Sequence, residues 1–181
     1  MSLSPNTKEG VSRTRWIAQT GLYLALAIVL PIGFHAFGLA GRIFLPMHLP
    51  VLLAGFLVGP VSGLAAGLLA PGLSFLITGM PPTYAVPPMS LELPIYGLVA
   101  GLAYNRLRLN VYIALIAAMI VGRLMFALGL IVLGLFMHLP YTGAQFLSLS
   151  ATGSLVAGWP GIAVQIVLIP LIVAAVRRAR Q

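Results

Sequence analysis

The chain has 181 residues, of which 60% are hydrophobic and only 7% are charged. Soluble domains carry about 25% charged residues, so this composition excludes a water-soluble surface and, with it, a soluble enzyme. The chain contains no cysteine, which excludes thiol catalysis, cysteine-ligated metals and disulfides. The net charge of +8 does not indicate nucleic acid binding, because the basic residues lie beside apolar segments and form no common face.

Apolar segments follow one another from Trp16 onwards and predict one membrane domain, residues 1–181, whose first fourteen residues are a polar tail. The second apolar run is too long for one span. It is broken at Gly59 and Pro60, where proline cannot continue a helix, so we expect a tight hairpin there. The predicted spans are residues 16–37, 43–58, 60–77, 89–104, 111–137 and 155–176. The predicted fold class is therefore an all-α integral membrane bundle of six transmembrane helices.

The basic residues predict which ends of the spans face the cytoplasm. With the N-terminus inside, eight lysines and arginines fall on the inner side, Arg42 falls on the outer side and Arg123 lies within a span. Short cytoplasmic loops collect positive charge, so both the N- and C-termini are predicted to be cytoplasmic. The outer segments, residues 38–42, 78–88 and 138–154, are then long or proline-rich, and we expect a binding pocket that opens outward.

Arg123 is the most informative position, because it lies near the middle of the predicted fifth span. A charge near the bilayer centre costs at least about 2.5–3.5 kcal/mol on insertion scales, so this side chain should face protein or water. It could contact a substrate, a structural ion-pair partner or a partner subunit. Glu92 is predicted about 16 Å above Arg123, where direct pairing is marginal. Arg123 then has no other secure carboxylate partner, which favours an anionic group on the substrate.

Glu92 and Arg123 are both predicted to line one outward-open cavity, with Tyr96 one turn below Glu92 on the same helix face. Glu92 is either a ligand or supporting residue for a solute, or a polar rim residue without a role in binding. His48 lies in a proline-broken segment and is the histidine best placed for solute contact; a structural histidine at the membrane interface is the alternative. The histidines show no metal-ligand spacing, so neither a metal site nor a cofactor is predicted.

Three further side chains are candidates for the binding site. Tyr84 and Trp159 lie where aromatic belts occur, and a belt position is the alternative to solute contact. Gln165 needs a polar partner within the bilayer, so we expect it to face the interior of the bundle.

Small residues recur at helical spacing in two parts of the chain. Gly21 and Ala25 form a small-xxx-small pair in the first span, which serves either internal packing or docking to another membrane subunit. Gly55, Gly59, Gly63 and Gly67 continue the same spacing across the predicted hairpin. There we expect internal packing.

Several segments resemble the substrate-binding S components of energy-coupling factor (ECF) transporters, the vitamin-uptake family. The resemblance rests on the Gly21 and Ala25 pair and on the sequences GRIFLPMHLPVLLAGFLVGP, SFLITGMPP and LELPIYGLVAGLAY. The VGRLMFALG run around Arg123 is similar to the folate and pantothenate branch of that family. The family's docking pair is commonly Ala-xxx-Ala, from which the pair in this chain departs at its first position.

The resemblance implies a substrate-binding subunit for uptake of a small water-soluble vitamin or vitamin precursor. It implies that the partners are a membrane T component and two cytoplasmic ATPase subunits, and that toppling of the whole subunit carries the bound vitamin inward. A multi-pass position in a prokaryotic plasma membrane is implied as well. The residues do not separate folate, pantothenate, riboflavin, thiamine precursors and benzimidazoles.

Two other classes of function are open at this point. A self-sufficient secondary transporter or channel fits six spans, but a coupling-ion site normally needs more intramembrane carboxylates. A membrane-embedded enzyme needs clustered carboxylates, a metal set or a Ser/His pair, and one intramembrane glutamate does not supply these. We therefore expect no catalytic residues.

Overall fold

The computed structural model describes residues 7–36, 45–83, 85–136 and 157–179. These residues form six α-helices, with a π-helical turn at the end of the fourth, and no strand. The helices are α1 (Thr7–Ala36), α2 (His48–Leu57), α3 (Pro60–Thr78), α4 (Val86–Gly101, extended by the π-helical turn Leu102–Arg106), α5 (Val111–Phe136) and α6 (Ala157–Arg178).

Helix length and composition show a multi-pass membrane protein. Large apolar side chains such as Ile17, Leu124 and Val167 are exposed on the outside of the bundle, where a soluble protein would carry charges. The α2 helix has only ten residues and is about 15 Å long, half of a hydrocarbon core of about 30 Å. Five segments are long and apolar enough to cross a membrane: Arg13–Phe34, Pro60–Thr78, Val86–Arg106, Val111–Val132 and Gly158–Arg178.

The hairpin predicted at Gly59 and Pro60 is confirmed. Gly59 has a φ of 141°, a conformation that glycine adopts without a clash at Cβ. Pro60 is the first residue of α3, where its missing N–H costs no hydrogen bond within the helix. The chain therefore reverses within two residues.

The start of α2 differs from the predicted boundary at residue 43. Residues 43 and 44 lie outside the described part of the chain, and Leu45 has a left-handed φ of 48°. The amide of His48 donates to the Leu45 carbonyl at 3.1 Å, and the helix begins there. Pro50 falls in the first turn, where amides have no acceptor within the helix, so this proline is tolerated. His48 consequently opens the helix.

The α4 helix occupies the centre of the bundle and packs against α2, α3 and α5. Its contact with α3 is made through glycines. A Cβ on Gly63 would lie 2.6 Å from the Gly97 carbonyl carbon, and one on Gly67 would lie 2.5 Å from the Leu93 carbonyl carbon. The two backbones therefore touch directly, and the internal packing predicted for Gly63 and Gly67 is confirmed.

Contacts between helix ends define one end of the bundle. The Asn105 side chain donates to the Gly55 carbonyl at 3.0 Å, which joins the end of α4 to the end of α2. The Arg177 guanidinium carbon lies 4.3 Å from the centre of the Tyr104 ring. This cation–π contact brings the end of α6 to the same place.

The N-terminal part of α1 reaches this end too. The hydroxyls of Thr20 and Ser62 are hydrogen-bonded, and Ser62 lies two residues after the start of α3. Among the arginines that the structure describes, Arg123 alone lies away from this end. We call it the basic end, and its arginines are Arg13, Arg15, Arg106, Arg108, Arg177 and Arg178.

Candidate functional site

An ion pair lies in the interior of the bundle, between α5 and α4. Arg123 Nη1 is 3.0 Å from Glu92 Oε1, and the two side chains are 16% and 2% exposed. The Oε1 atom makes no aligned hydrogen bond, so this contact is an attraction between charges. The expectation that Glu92 lies about 16 Å above Arg123 is therefore wrong. The argument that Arg123 lacks a carboxylate partner is wrong for the same reason.

The segment that joins α4 to α5 explains the difference. Residues 107–110 connect the two helices at the basic end, so their relative heights are fixed there. Glu92 lies fourteen residues before Arg106, and Arg123 lies twelve residues after Val111, which gives heights of about 21 and 18 Å. On the outer side of the pair, α5 extends further than α4. Heights measured from the outer ends of the two helices therefore place Glu92 and Arg123 at different levels, although the two residues lie at the same level.

Two more of the predicted residues surround the Glu92 carboxylate. His48 Nε2 lies 3.7 Å from Glu92 Oε1, and the Tyr96 hydroxyl donates a hydrogen bond to the carboxylate. The rings of His48 and Tyr96 meet edge to face, with 5.2 Å between their centroids, a favourable arrangement for aromatic rings. We call His48, Glu92, Tyr96 and Arg123 the polar cluster. The structure thus brings together four of the seven predicted binding residues.

The short α2 helix explains how His48 reaches the interior. Because α2 rises only about 15 Å from the basic end, its first residue stops near the level of Glu92 and Arg123. The partial positive charge of a helix N-terminus therefore lies inside the bundle, beside the Glu92 carboxylate.

Tyr96 lies one turn after Glu92 on α4, as predicted, and its ring packs over a glycine of α5. A Cβ on Gly122 would lie 2.7 Å from two ring carbons of Tyr96. Gly122 was not predicted as part of the site. Its signal in the sequence is its place directly before Arg123, where the missing side chain leaves room for an aromatic ring next to the charge.

Gln165 faces the interior of the bundle, as predicted. Its side chain is buried on α6, on the same face as Ile169 and Val173, which follow it at intervals of one helical turn. These two residues belong to the apolar core that also contains Tyr96. A role of Gln165 in binding stays a prediction.

The polar cluster and Gln165 carry buried atoms that have no hydrogen-bond partner among the described residues. Each such atom costs about 1–3 kcal/mol relative to a paired one, and a concentration of them calls for an explanation. A polar ligand that pairs with them supplies one. The atoms are Nδ1 and Nε2 of His48, Oε1 of Glu92, Nε and Nη2 of Arg123, and Nε2 of Gln165.

Two predicted aromatic residues are not seen in the polar cluster. Trp159 is 65% exposed near the start of α6, a position that fits an aromatic belt, and its contact with a solute stays a prediction. Tyr84 lies outside the described residues, as do the outer segments 38–42 and 138–154. No group of three or more potential metal-ligating side chains occurs in the part of the chain that the structure describes.

The small-xxx-small pair of α1 is not packed within the part of the chain that the structure describes. Gly21 and Ala25 are exposed, and a Cβ on Gly21 would meet no described atom within 4 Å. Of the two roles considered for this pair, docking to another membrane subunit is the one that stays a prediction.

Comparison with known proteins gives one match, which covers most of the chain. A family model described as "ECF transporter, substrate-specific component" matches residues 15–173, which include every member of the polar cluster. Neither the comparison with curated proteins nor that with solved structures gives a match. The family model confirms the resemblance seen in the sequence motifs, and the chain belongs to the family of substrate-specific components of ECF transporters.

Proposed function

We propose that this chain binds a small water-soluble vitamin or vitamin precursor for uptake by an ATP-driven ECF transporter. Members of the family are substrate-binding subunits of transporters and not enzymes. The observation that carries the proposal is the buried pair of Arg123 and Glu92, flanked by nitrogen atoms that have no hydrogen-bond partner in the described parts of the chain. A few convergent polar groups within apolar surroundings suit a small polar solute.

A six-span topology with both termini in the cytoplasm is part of this proposal. Successive helices run in opposite directions, and the basic end gathers the described arginines other than Arg123. The positive-inside rule therefore favours the basic end as the cytoplasmic one. The short α2 helix would belong to the second crossing. His48 then lies toward the outer side, where a solute arrives.

The proposed partners are a membrane T component and two cytoplasmic ATPase subunits, with toppling of the bound subunit as the inward step. Family membership supports the association with such an energising module. The exposed pair of Gly21 and Ala25 on α1 supports a docking face, because small residues let the backbone of a neighbouring helix approach closely.

The solute is best identified from the protein itself. Mass spectrometry of small molecules that co-purify with the chain names a candidate, and titration of that compound gives its affinity for the wild type and for Arg123→Ala. We expect Arg123→Ala to weaken binding by at least about tenfold, because it removes a charged hydrogen-bonding group. The matched control is Arg178→Ala at the basic end, which should leave the affinity unchanged. Equal affinity of Arg123→Ala and wild type would remove Arg123 from the site.

Reconstitution separates this function from a self-sufficient transporter. The purified chain alone in liposomes should bind its solute without accumulating it. Uptake driven by an ion gradient, in the absence of any ATPase, would contradict the proposal.

A further inference from the structure

Within the part of the chain that the structure describes, two nitrogen atoms of Arg123 lack a hydrogen-bond partner although the side chain is already paired. Nη1 contacts Glu92, whereas Nε and Nη2 are buried and have no hydrogen-bond partner among the described residues. Nε and Nη2 lie on one edge of the planar guanidinium, and their N–H bonds point in parallel. Such an edge binds a carboxylate through two parallel hydrogen bonds.

No carboxylate among the side chains that the structure describes occupies that edge. Glu92 is held on the Nη1 side by Arg123, by His48 Nε2 at 3.7 Å and by the Tyr96 hydroxyl. The chain has only two acidic residues, and the other, Glu9, lies in the first turn of α1. This turn is at the basic end, far from the cluster. A carboxylate from another molecule is then the natural occupant of the free edge.

The surroundings of the free edge favour an anion. Arg123 and Glu92 together carry no net charge, so an added carboxylate needs a further source of positive potential. The N-terminus of α2 provides it, because His48 is the first residue of that helix and lies beside Glu92. Burial strengthens the attraction, since charges interact more strongly where water is excluded.

The remaining unpartnered atoms point to the same kind of solute. Within the polar cluster, His48 offers at least one N–H in either protonation state. Apart from Glu92 Oε1 and one nitrogen of a neutral imidazole, every unpartnered atom is thus a donor. The complementary solute presents acceptors.

We infer that the transported solute carries a carboxylate, which binds the Nε and Nη2 edge of Arg123 while Glu92 remains paired with Nη1. This inference rests on the proposed function, because it names the chemical class of the solute at the same site. Both nitrogen atoms are shielded from solvent, so the groups that cover them must move aside when the solute enters.

Matched carboxylate and carboxamide compounds test the inference on the unaltered protein. The probes are nicotinate with nicotinamide, 4-aminobenzoate with 4-aminobenzamide, and biotin, pantothenate and folate with their amides. Riboflavin, thiamine and pyridoxine serve as probes without a carboxylate. Binding is measured in detergent, first as thermal stabilisation and then by calorimetric titration. We expect the tightest probe to be a carboxylate. Its amide should bind at least about tenfold more weakly, because an amide offers one acceptor oxygen to the two N–H groups of the Arg123 edge.

The variant Arg123→Lys tests the two parallel N–H bonds of the guanidinium separately from its charge. Lysine keeps a positive charge near Glu92 but offers a point charge in place of two parallel N–H bonds. We expect the carboxylate to bind at least about tenfold more weakly and its advantage over the amide to shrink. Arg178→Lys at the basic end is the control and should change neither quantity. If Arg123→Lys does not fold, the comparison of carboxylate and amide on the unaltered protein decides alone.

The outcomes separate this inference from the proposed function. Tight binding of a probe without a carboxylate, or equal binding of a carboxylate and its amide, would overturn the inference and leave the proposed function standing. Failure of every probe to bind would overturn the proposed function and the inference with it.

Discussion

Arg123 and Glu92 come from different helices and meet in the interior of the bundle with 3.0 Å between Nη1 and Oε1. The pair is level because α4 and α5 are joined by a short connection at the basic end. It accounts for one of the nitrogen atoms of Arg123 and leaves two others without a partner among the described residues. The same contact thus fixes the position of the guanidinium and leaves one of its edges available for the proposed solute.

The first prediction concerns the stability that this pair provides. Glu92→Leu leaves a buried guanidinium without its counter-charge, and we expect it to destabilise the protein by about 3–5 kcal/mol. The double variant Glu92→Leu with Arg123→Met removes both charges and should be clearly more stable than Glu92→Leu alone. Unfolding in detergent, followed by tryptophan fluorescence, measures the effect. Strictly additive losses in the two single variants and the double variant would show that the charges do not interact.

The second prediction concerns the hydroxyl group of Tyr96. Tyr96→Phe keeps the ring over Gly122 and against His48 but removes the donor to Glu92. A net hydrogen bond is worth about 0.5–1.5 kcal/mol, so we expect solute affinity to fall about 2–10-fold. Tyr112→Phe on the exposed face of α5 is the control. An unchanged affinity in Tyr96→Phe would show that the hydroxyl does not position Glu92 for binding.

The third prediction concerns the contact between α3 and α4. A Cβ on Gly97 would lie 2.4 Å from the carbonyl carbon of Gly63, so Gly97→Ala must push the helices apart, at a cost of about 1–3 kcal/mol. Gly72→Ala is the matched control, since a Cβ there meets no described atom within 4 Å and alanine favours the helix. Thermal unfolding in detergent compares them. Equal stability of the two variants would mean that the helices are not in direct backbone contact.

The fourth prediction concerns the orientation in the membrane. The chain has no cysteine, so single cysteines report position without background. Thr83→Cys, between α3 and α4, should react with a membrane-impermeant maleimide added to intact cells, whereas Asn110→Cys, between α4 and α5, should react only after the cells are opened. The reverse pattern would place the basic end outside.

The fifth prediction concerns the exposed face of α1. Gly21→Leu fills a surface that faces out of the bundle, so we expect solute binding to persist while uptake through the complete transporter falls at least about tenfold. Gly33→Leu is the matched control, because Gly33 lies on the same helix and is equally free of neighbours among the described atoms. Wild-type uptake by Gly21→Leu would contradict docking through this pair.

Much of the fold follows from local signals in the sequence. Apolar length predicts the long helices, and the Gly59 and Pro60 pair predicts the hairpin, because each feature depends only on neighbouring residues. The start of α2 is harder to predict from local sequence. Leu45 takes a left-handed conformation that no local pattern requires of leucine, and the helix is shortened as a result.

The sequence predicted most residues of the candidate site, but not how these residues are arranged in space. Burial cost alone identifies Arg123 and Glu92 as residues that need partners. Their pairing depends on how far each helix extends beyond the connection at residues 107–110, which is a tertiary property. Gly122 was missed because a glycine among apolar residues has many explanations, and only the position of the Tyr96 ring selects one.

The backbone contact between Gly63 and Gly97 also bears on how such a protein can change its specificity. This contact between α3 and α4 has no room for a side chain, so it cannot accept a larger residue, whatever solute the site receives. The spacing of the α3 and α4 helices is therefore fixed, and adaptation to a new solute must come from positions outside this contact. Relatives selective for different compounds should vary at inward positions around the polar cluster on α2, α4, α5 and α6, while the residues along the contact between α3 and α4 stay small.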